Sequence, residues 1–343
     1  MRVLVTGHRG YIGTHVVRLL VGQGIHVTGL DCDLYRASGY SRVNEVVPTL
    51  VKDIRDATAA DLEGHDVVLH LAGLSNDPLG DLDPELTFDI NYHATERLAR
   101  LAKSAGVARF VFSSSCSSYG IGGDDLLTEE APLRPVTPYA VSKIKGEEAL
   151  DQLASDTFCT VALRSGTAYG LSPRIRFDLV VNNLTAWAMA TGQVLLKSDG
   201  SAWRPLVHAE DMAQAFIDAA LAPRDVVHRQ AFNVGRTEES IQIRDVAEMV
   251  KAAIPGTEIT FADQASPDIR TYRVDCSKIK QIGFAPRWSV PEGIAVLRDA
   301  FAANPVRVTE FEGPRFQRVA HVKGLLAEGM LDPSLRWQDR SAA

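Results

Sequence analysis

The opening residues constrain the fold more than any other stretch. Val3, Leu4 and Val5 make a short buried-strand pattern within residues 2–6, and the chain runs directly into Gly7-x-x-Gly10-x-x-Gly13. Apolar residues then recur at helical spacing at Val16, Val17, Leu19 and Leu20. A strand, a glycine turn and a helix start together form an anion cradle: glycines let the backbone approach a phosphate, and the helix N-terminus favours its charge. The spacing is not the Gly-x-Gly-x-x-Gly of the standard dinucleotide fingerprint. Alone, it also fits an ordinary tight turn.

Beyond this first unit the alternation of strand and helix repeats. Strand patterns are expected at residues 25–30, 46–51, 66–70, 109–112 and 160–164, with a further one returning at 232–235. Helical patterns lie between them, including a long one over 84–105 and one opened by Pro138, a residue suited to a first helical turn. This order predicts an α/β fold with a Rossmann-like, doubly wound parallel sheet. Residues 1–170 are expected to form the dinucleotide-binding part, with 205–253 partly returning to it. Residues 171–204 and 254–343 are left for a smaller interleaved substrate-binding part and a C-terminal tail. In such sheets ligands bind beyond the strand C-termini, where Gly7, Asp31, Asp53, Ala72 and the run Ser113-Ser114-Ser115 all fall.

Asp31 stands 18 positions past Gly13, close to the spacing of about 20 for a carboxylate that binds an adenosine ribose. A carboxylate there repels a 2′-phosphate and favours NAD. Arg9, inside the turn, keeps NADP possible. Asp53 either accepts from an adenine amino group, with Ile54 packed on the ring, or caps a helix. Asp33 reads as a surface acid.

Charge and composition exclude several classes. The 343 residues carry a net charge of -7 with no basic stripe, so nucleic acid is not an expected partner. No apolar run approaches the ~18 residues of a membrane span. The four cysteines are far apart, without metal-ligand spacing, so no metal is expected and a reduced, cytoplasmic setting is.

Tyr139 and Lys143 are four residues apart and share one helix face. An ammonium beside a phenol favours the phenolate. A tyrosine so tuned can take a proton from a sugar or alcohol hydroxyl.

Taken together, Thr6-Gly7-x-x-Gly10-Tyr11-Ile12-Gly13, Asp31, Asp53-Ile54, Leu71-Ala72-Gly73, Ser113 to Ser115, Tyr139-x-x-x-Lys143 and Leu163-Arg164 resemble the extended short-chain dehydrogenase/reductase family. The likeness is to its nucleotide-sugar epimerases and dehydratases, UDP-glucose 4-epimerase-like enzymes among them. It implies a cofactor set of Gly7, Gly10, Tyr11, Ile12, Gly13, Asp31, Asp53, Ile54, Leu71, Ala72, Gly73, Asn91, Ser113, Tyr139 and Lys143. It implies catalysis by Ser115, Tyr139 and Lys143 on a nucleoside-diphosphate sugar, with Tyr139 the base and Ser115 bonded to the reacting oxygen. Asn183 and Arg204 would hold the diphosphate, with Ser115 touching the sugar; Arg174, Arg176 and Arg270 are further candidates.

Within that family, 4,6-dehydratases carry Thr-Asp-Glu where this chain has Ser115-Cys116-Ser117. Epimerases of the galactose type carry Ser-Ala-Thr. An NAD-dependent epimerase acting at C4 through a keto sugar is therefore expected. An NAD(P)H-dependent 4-ketosugar reductase is the alternative; a 4,6-dehydratase or a non-catalytic dinucleotide sensor is less favoured. Thr167, where many relatives have an asparagine that touches sugar or nucleotide, argues against copying galactose-epimerase recognition. Cys116, His93 and His208 read as structural. The resemblance also implies a homodimer built on the helices around 91–103 and 139–153. The tail has a helical pattern at Val319, Val322, Leu325 and Leu326 but no assigned chemistry.

Overall fold

The computed structural model of the chain describes residues 1–43, 46–75, 83–261 and 270–338, with the side chains at 123 and 124 outside that description. Seven strands form one parallel sheet: β1 (Arg2–Thr6), β2 (His26–Asp31), β3 (Thr49–Val51), β4 (Val67–His70), β5 (Arg109–Ser115), β6 (Cys159–Ser165) and β7 (Gln230–Val234). Their spatial order is β7-β6-β5-β4-β1-β2-β3. The order reverses at β1, which lies between β2 and β4, and this switch point opens the crevice where a doubly wound sheet binds its ligand.

The strands are apolar on both faces because helices cover both. Val3 and Val5 point to one face, where they meet Val16 and Leu20 of helix Gly13–Gly22 and Phe216 and Ile217 of helix Ala209–Leu221. Leu4 and Val68 point to the other, against Leu98 and Ala99 of helix Ala94–Ser104 and Leu150 and Leu153 of helix Pro138–Leu153. Each such buried side chain contributes about 1.5–3 kcal/mol relative to exposure. A third core joins helices Val180–Thr191, Ile243–Ala253 and Val290–Ala303 around Leu184, Val250, Ile294 and Phe301. Among the described residues no helix is long and apolar enough to cross a membrane.

Three elements depart from the sequence expectation. The third strand begins at Thr49, not residue 46; Pro48 lacks an N–H for the ladder and only its carbonyl bonds, accepting from Gly29 N–H at 2.8 Å. The helix expected over 84–105 is broken into Pro84–Phe88, a π turn Asp89–His93 and Ala94–Ser104. The wider turn carries Asn91, whose amide is drawn inward onto Leu74. Helix Ile243–Ala253 packs in the third core, so only part of 205–253 returns to the sheet. The tail does the opposite: Val322, Leu331 and Leu335 join the core of Leu4, Leu30 and Ile54, and so belong to the dinucleotide-binding half.

Candidate active site

The glycine turn closes on the loop after β4. Gly7 has φ +71°, and a Cβ there would stand 2.7 Å from Ala72 N. A Cβ on Gly13 would stand 2.7 Å from His8 Cα. Gly10 N–H donates to Gly7 O at 3.0 Å and closes the turn. Helix Gly13–Gly22 starts without a side-chain cap, and its first turn is closed by backbone bonds from Thr14 N–H to Gly10 O at 3.2 Å and from Val16 N–H to Ile12 O at 3.1 Å. Beyond the turn lies a cavity of about 1030 Å³. That is the upper end of the size range for small-molecule sites.

At one end of the cavity stand Asp31, Asp53 and Ile54. Asp31 Oδ2 accepts from Arg9 N–H at 3.0 Å and Oδ1 from Asp33 N–H at 2.8 Å, which aims the carboxylate at the turn. Asp33 is not the surface acid expected: it pairs with Arg9 Nη1 at 3.2 Å and Arg174 Nη2 at 3.1 Å. Asp53 caps the short turn Ile54–Asp56 and accepts Arg55 N at 2.8 Å, Nε at 3.0 Å and Nη2 at 2.8 Å. These hydrogen bonds hold its carboxyl below the usual range against burial, which acts the other way. Capping is thus the role the structure displays for Asp53.

Leu71, Ala72 and Gly73 line the cavity, but Asn91 does not. Its Oδ1 accepts from Leu74 N at 2.7 Å, its Nδ2 donates to Leu74 O at 2.9 Å, and it is 1% exposed. Asn91 therefore shapes the loop from behind, in place of the cofactor contact expected. Tyr11 lines the wall, and its hydroxyl donates to Gly170 O at 2.7 Å.

At the other end, Thr137 caps helix Pro138–Leu153 by accepting Ala140 N–H at 3.2 Å. Tyr139 and Lys143 fall on its buried face. Tyr139 bonds with Ser115, which also accepts from Ser117 N at 3.2 Å and shares a bond with Ser117 Oγ at 3.0 Å. Lys143 Nζ donates to Ser113 O at 2.9 Å and lies 5.6 Å from the Tyr139 ring centre. Burial pushes Lys143 down to about 8, while the Glu147 carboxylate acts to raise it. Burial pushes the Tyr139 phenol up; the Ser115 hydrogen bond and the Arg176 charge oppose that rise. In this structure the phenol thus stands above its ordinary value, with Arg176 a cation that acts on it besides the neighbouring Lys143.

A buried network fixes this helix from behind. Glu147, one turn past Lys143, pairs with Arg164 at 2.7 Å and accepts from Ser114. Arg164 Nη1 donates to Tyr119 Oη at 3.2 Å, and Tyr119 donates to Asn233 Oδ1 at 2.7 Å. Cys116 is buried, its thiol raised by burial and donating to Arg164 O at 3.1 Å, so it is a packing residue.

His70, at the end of β4, ties the floor of the cavity together. Thr95 donates to Asn91 O at 2.8 Å, so His70 Nε2–H must donate to Thr95 Oγ1 at 2.8 Å. Its Nδ1 then accepts from Thr6 Oγ1 at 2.7 Å. Burial pushes this histidine down to about 3. The unfolded chain binds a proton there below pH ~6.5 and the folded one does not, so stability falls as pH drops through that window. We expect urea unfolding of the wild type to lose about 1.4 kcal/mol more per pH unit than His70→Gln between pH 6 and 4.

Thr167, Asn183, Arg204 and Arg270 also line the cavity. Asn183 Nδ2 donates to Phe177 O at 2.9 Å and Glu312 at 3.0 Å; Arg204 Nη1 donates to Trp203 O at 2.8 Å and to Arg270 O. Arg176, only one candidate among several in the sequence, sits between the two ends: it is 7% exposed, clamped by Asp178 at 2.7 Å, and bonded to Ser75 at 3.1 Å. Arg174 instead braces the loop after β2 through Tyr35 O at 2.8 Å and Arg36 O at 2.7 Å. His208 caps helix Ala209–Leu221, accepting Glu210 N–H at 3.2 Å, and stacks on Trp288. Arg318 of the tail also lines the cavity. A single basic residue opening an apolar helical pattern was the only signal for it. Among the described residues no cluster of acids, histidines and cysteines is set to hold a metal.

A model of the NAD dependent epimerase/dehydratase family matches residues 3–235. UDP-glucose 4-epimerase of Mycolicibacterium smegmatis is 32% identical over 308 residues, covering 86% of this chain and 96% of that protein. Among solved structures, the NAD-dependent NDP-hexosamine 5,6-dehydratase TunA superposes with a TM-score of 0.79 at 27% identity, over 89% of this chain and 98% of its own. MoeE5 in complex with UDP-glucose and NAD does so with a TM-score of 0.77 at 26% identity, over 89% and 100%. The glycine cradle, the acid at the end of β2, Ser115 and Tyr139 converge on one cavity, with Lys143 beside Tyr139, and by these matches the chain belongs to the NAD dependent epimerase/dehydratase family of extended short-chain dehydrogenase/reductase enzymes.

Proposed function

We propose that this enzyme is an NAD-dependent nucleotide-sugar epimerase that inverts C4 of a hexose through a transient 4-keto sugar. The observation that carries the reading is the chemistry beside Tyr139. Ser115 bonds to the phenol, Cys116 turns its thiol away to Arg164 O, and Ser117 takes the third place of the triplet. Eliminating water across a sugar ring needs an acid and a base in addition to the tyrosine. Here the triplet offers two hydroxyls and a buried thiol. A single proton acceptor on one hydroxyl suits a redox-neutral epimerisation.

The residues fit the cofactor: a Cβ on Gly7 would strike Ala72 and one on Gly13 would strike Gly7 and His8, so only glycines let the turn fold tightly enough to sit beside a pyrophosphate, and Asp31 is fixed at the ribose end. NAD supplies hydride acceptance and return when bound. Tyr139 would take the C4 hydroxyl proton and give it back, Ser115 would hold the reacting oxygen, and Lys143 would hold the ribose from beneath Ser113. Two carboxylates at the adenosine end, with Arg9 engaged by Asp33, support NAD over NADP. Thr167, Asn183, Arg204 and Arg270 would take the nucleotide sugar.

Two measurements test this. Denaturing the fresh protein and weighing the released nucleotide should yield NAD, not NADP. Nuclear magnetic resonance of UDP- and dTDP-hexoses mixed with the enzyme should then show C4 epimers equilibrating without added reductant. Conversion only with consumption of NADH or NADPH would instead make it a ketosugar reductase, and loss of water would make it a dehydratase.

A further inference from the structure

The C-terminal segment packs on the loop after β2 and on the turn Ile54–Asp56. Helix Arg318–Ala327 packs beside the loop after β2, with His321 Nε2 3.1 Å from Leu34 O. Further on, Trp337 Nε1 donates to Cys32 O at 2.7 Å, and the Arg36 guanidinium stacks 3.9 Å over the Trp337 ring. Arg55, the residue that holds Asp53, donates to Ser334 O at 2.8 Å. Leu335 is part of the cavity wall beside Ile54.

Arg318 is the residue of this segment that does not fit a purely structural account. It is 5% exposed and lines the cavity. Its guanidinium lies 3.4 Å over the Tyr35 ring, and its Nη1 has no hydrogen-bond partner among the described residues. Burial pushes it down to about 10; the Tyr35 phenol and, more weakly, Asp178 act to raise it, and Arg176 adds a like charge. Asp178 is already the ion-pair partner of Arg176. A buried guanidinium left this way is costly unless an anion meets it. Its planar fork suits phosphate oxygens.

We propose that Arg318 binds a diphosphate in the cavity, namely the pyrophosphate of the dinucleotide, so that the C-terminal segment straps the cofactor into its cleft. The diphosphate of the nucleotide sugar is the other source of the same chemistry. The position favours the cofactor: Arg318 stacks on Tyr35, four residues past Asp31, and its segment continues over Cys32 and Asp53. The strap makes the cofactor slow to leave, as a redox-neutral enzyme requires, but the inference rests only on dinucleotide binding and holds whichever sugar reaction is catalysed.

The test uses the full-length enzyme freed of nucleotide and titrated by calorimetry with NAD, adenosine and UDP. Arg318→Gln is expected to raise the Kd for NAD about 10–100-fold, the loss of a charge-assisted hydrogen bond, while adenosine and UDP bind as in the wild type. Arg318→Lys, which keeps the charge, should bind NAD more tightly than Arg318→Gln. Unchanged NAD affinity overturns the proposal. A parallel loss for NAD and adenosine overturns it too, since that marks a merely structural arginine. A loss confined to UDP assigns Arg318 to the substrate and overturns the strap.

Discussion

Tyr139→Phe should abolish turnover of the nucleotide sugar while the purified protein still carries its nucleotide. The phenol is the group in the cavity placed to move a proton on a sugar hydroxyl, bonded to Ser115 and facing Arg176. General acid–base catalysis by one positioned group is worth about 10²–10⁴-fold in rate. The ring stays, and with it the packing at a site only 9% exposed, so folding and cofactor content should not change. The measurement is kcat for the variant beside its nucleotide content after denaturation. Turnover within tenfold of wild type would remove Tyr139 from the chemistry, and an empty variant would make it a cofactor ligand first.

Arg164→Met should destabilise the fold by about 3–5 kcal/mol, the usual cost of removing one partner from a buried ion pair. Arg164 and Glu147 have side chains only 8% and 13% exposed. Removing the guanidinium leaves Glu147 buried with Ser114 as its hydrogen-bond donor and no ion pair of its own, and leaves Tyr119 Oη without the Arg164 donor. The double variant Arg164→Met, Glu147→Leu should recover much of the loss, because an apolar pair of similar volume carries no desolvation cost. Urea unfolding at pH 7 reads both. Glu147 is one helical turn from Lys143, so the single variant should also lower kcat by loosening the catalytic helix. If Arg164→Met were as stable as the wild type, the network would be incidental to the fold.

The cofactor half was the legible part of this chain. Gly7, Gly10 and Gly13 announce a backbone that must approach something closely, and Val3-Leu4-Val5 announces a strand buried on both faces. Tyr139 and Lys143 carry their relationship in their spacing. Arg176 and Arg318 were not legible in this way. They lie far apart in sequence and reach the same cavity, close enough for their charges to act on one another, only through the tertiary fold. The cofactor contact expected of Asn91 came from the family resemblance and not from its local pattern; here a π turn points its amide at Leu74.

Local periodicity and spacing thus determined by themselves the parallel α/β architecture, the glycine cradle and the Tyr139–Lys143 pair, since each depends on residues close in sequence; the role expected of Ser115 came from the family resemblance. Tertiary structure alone decided which charges face the phenol, which half of the molecule the tail joins, and which arginine is left seeking an anion. Those outcomes depend on burial and on distances between segments far apart in the chain, and neither is written in any local stretch.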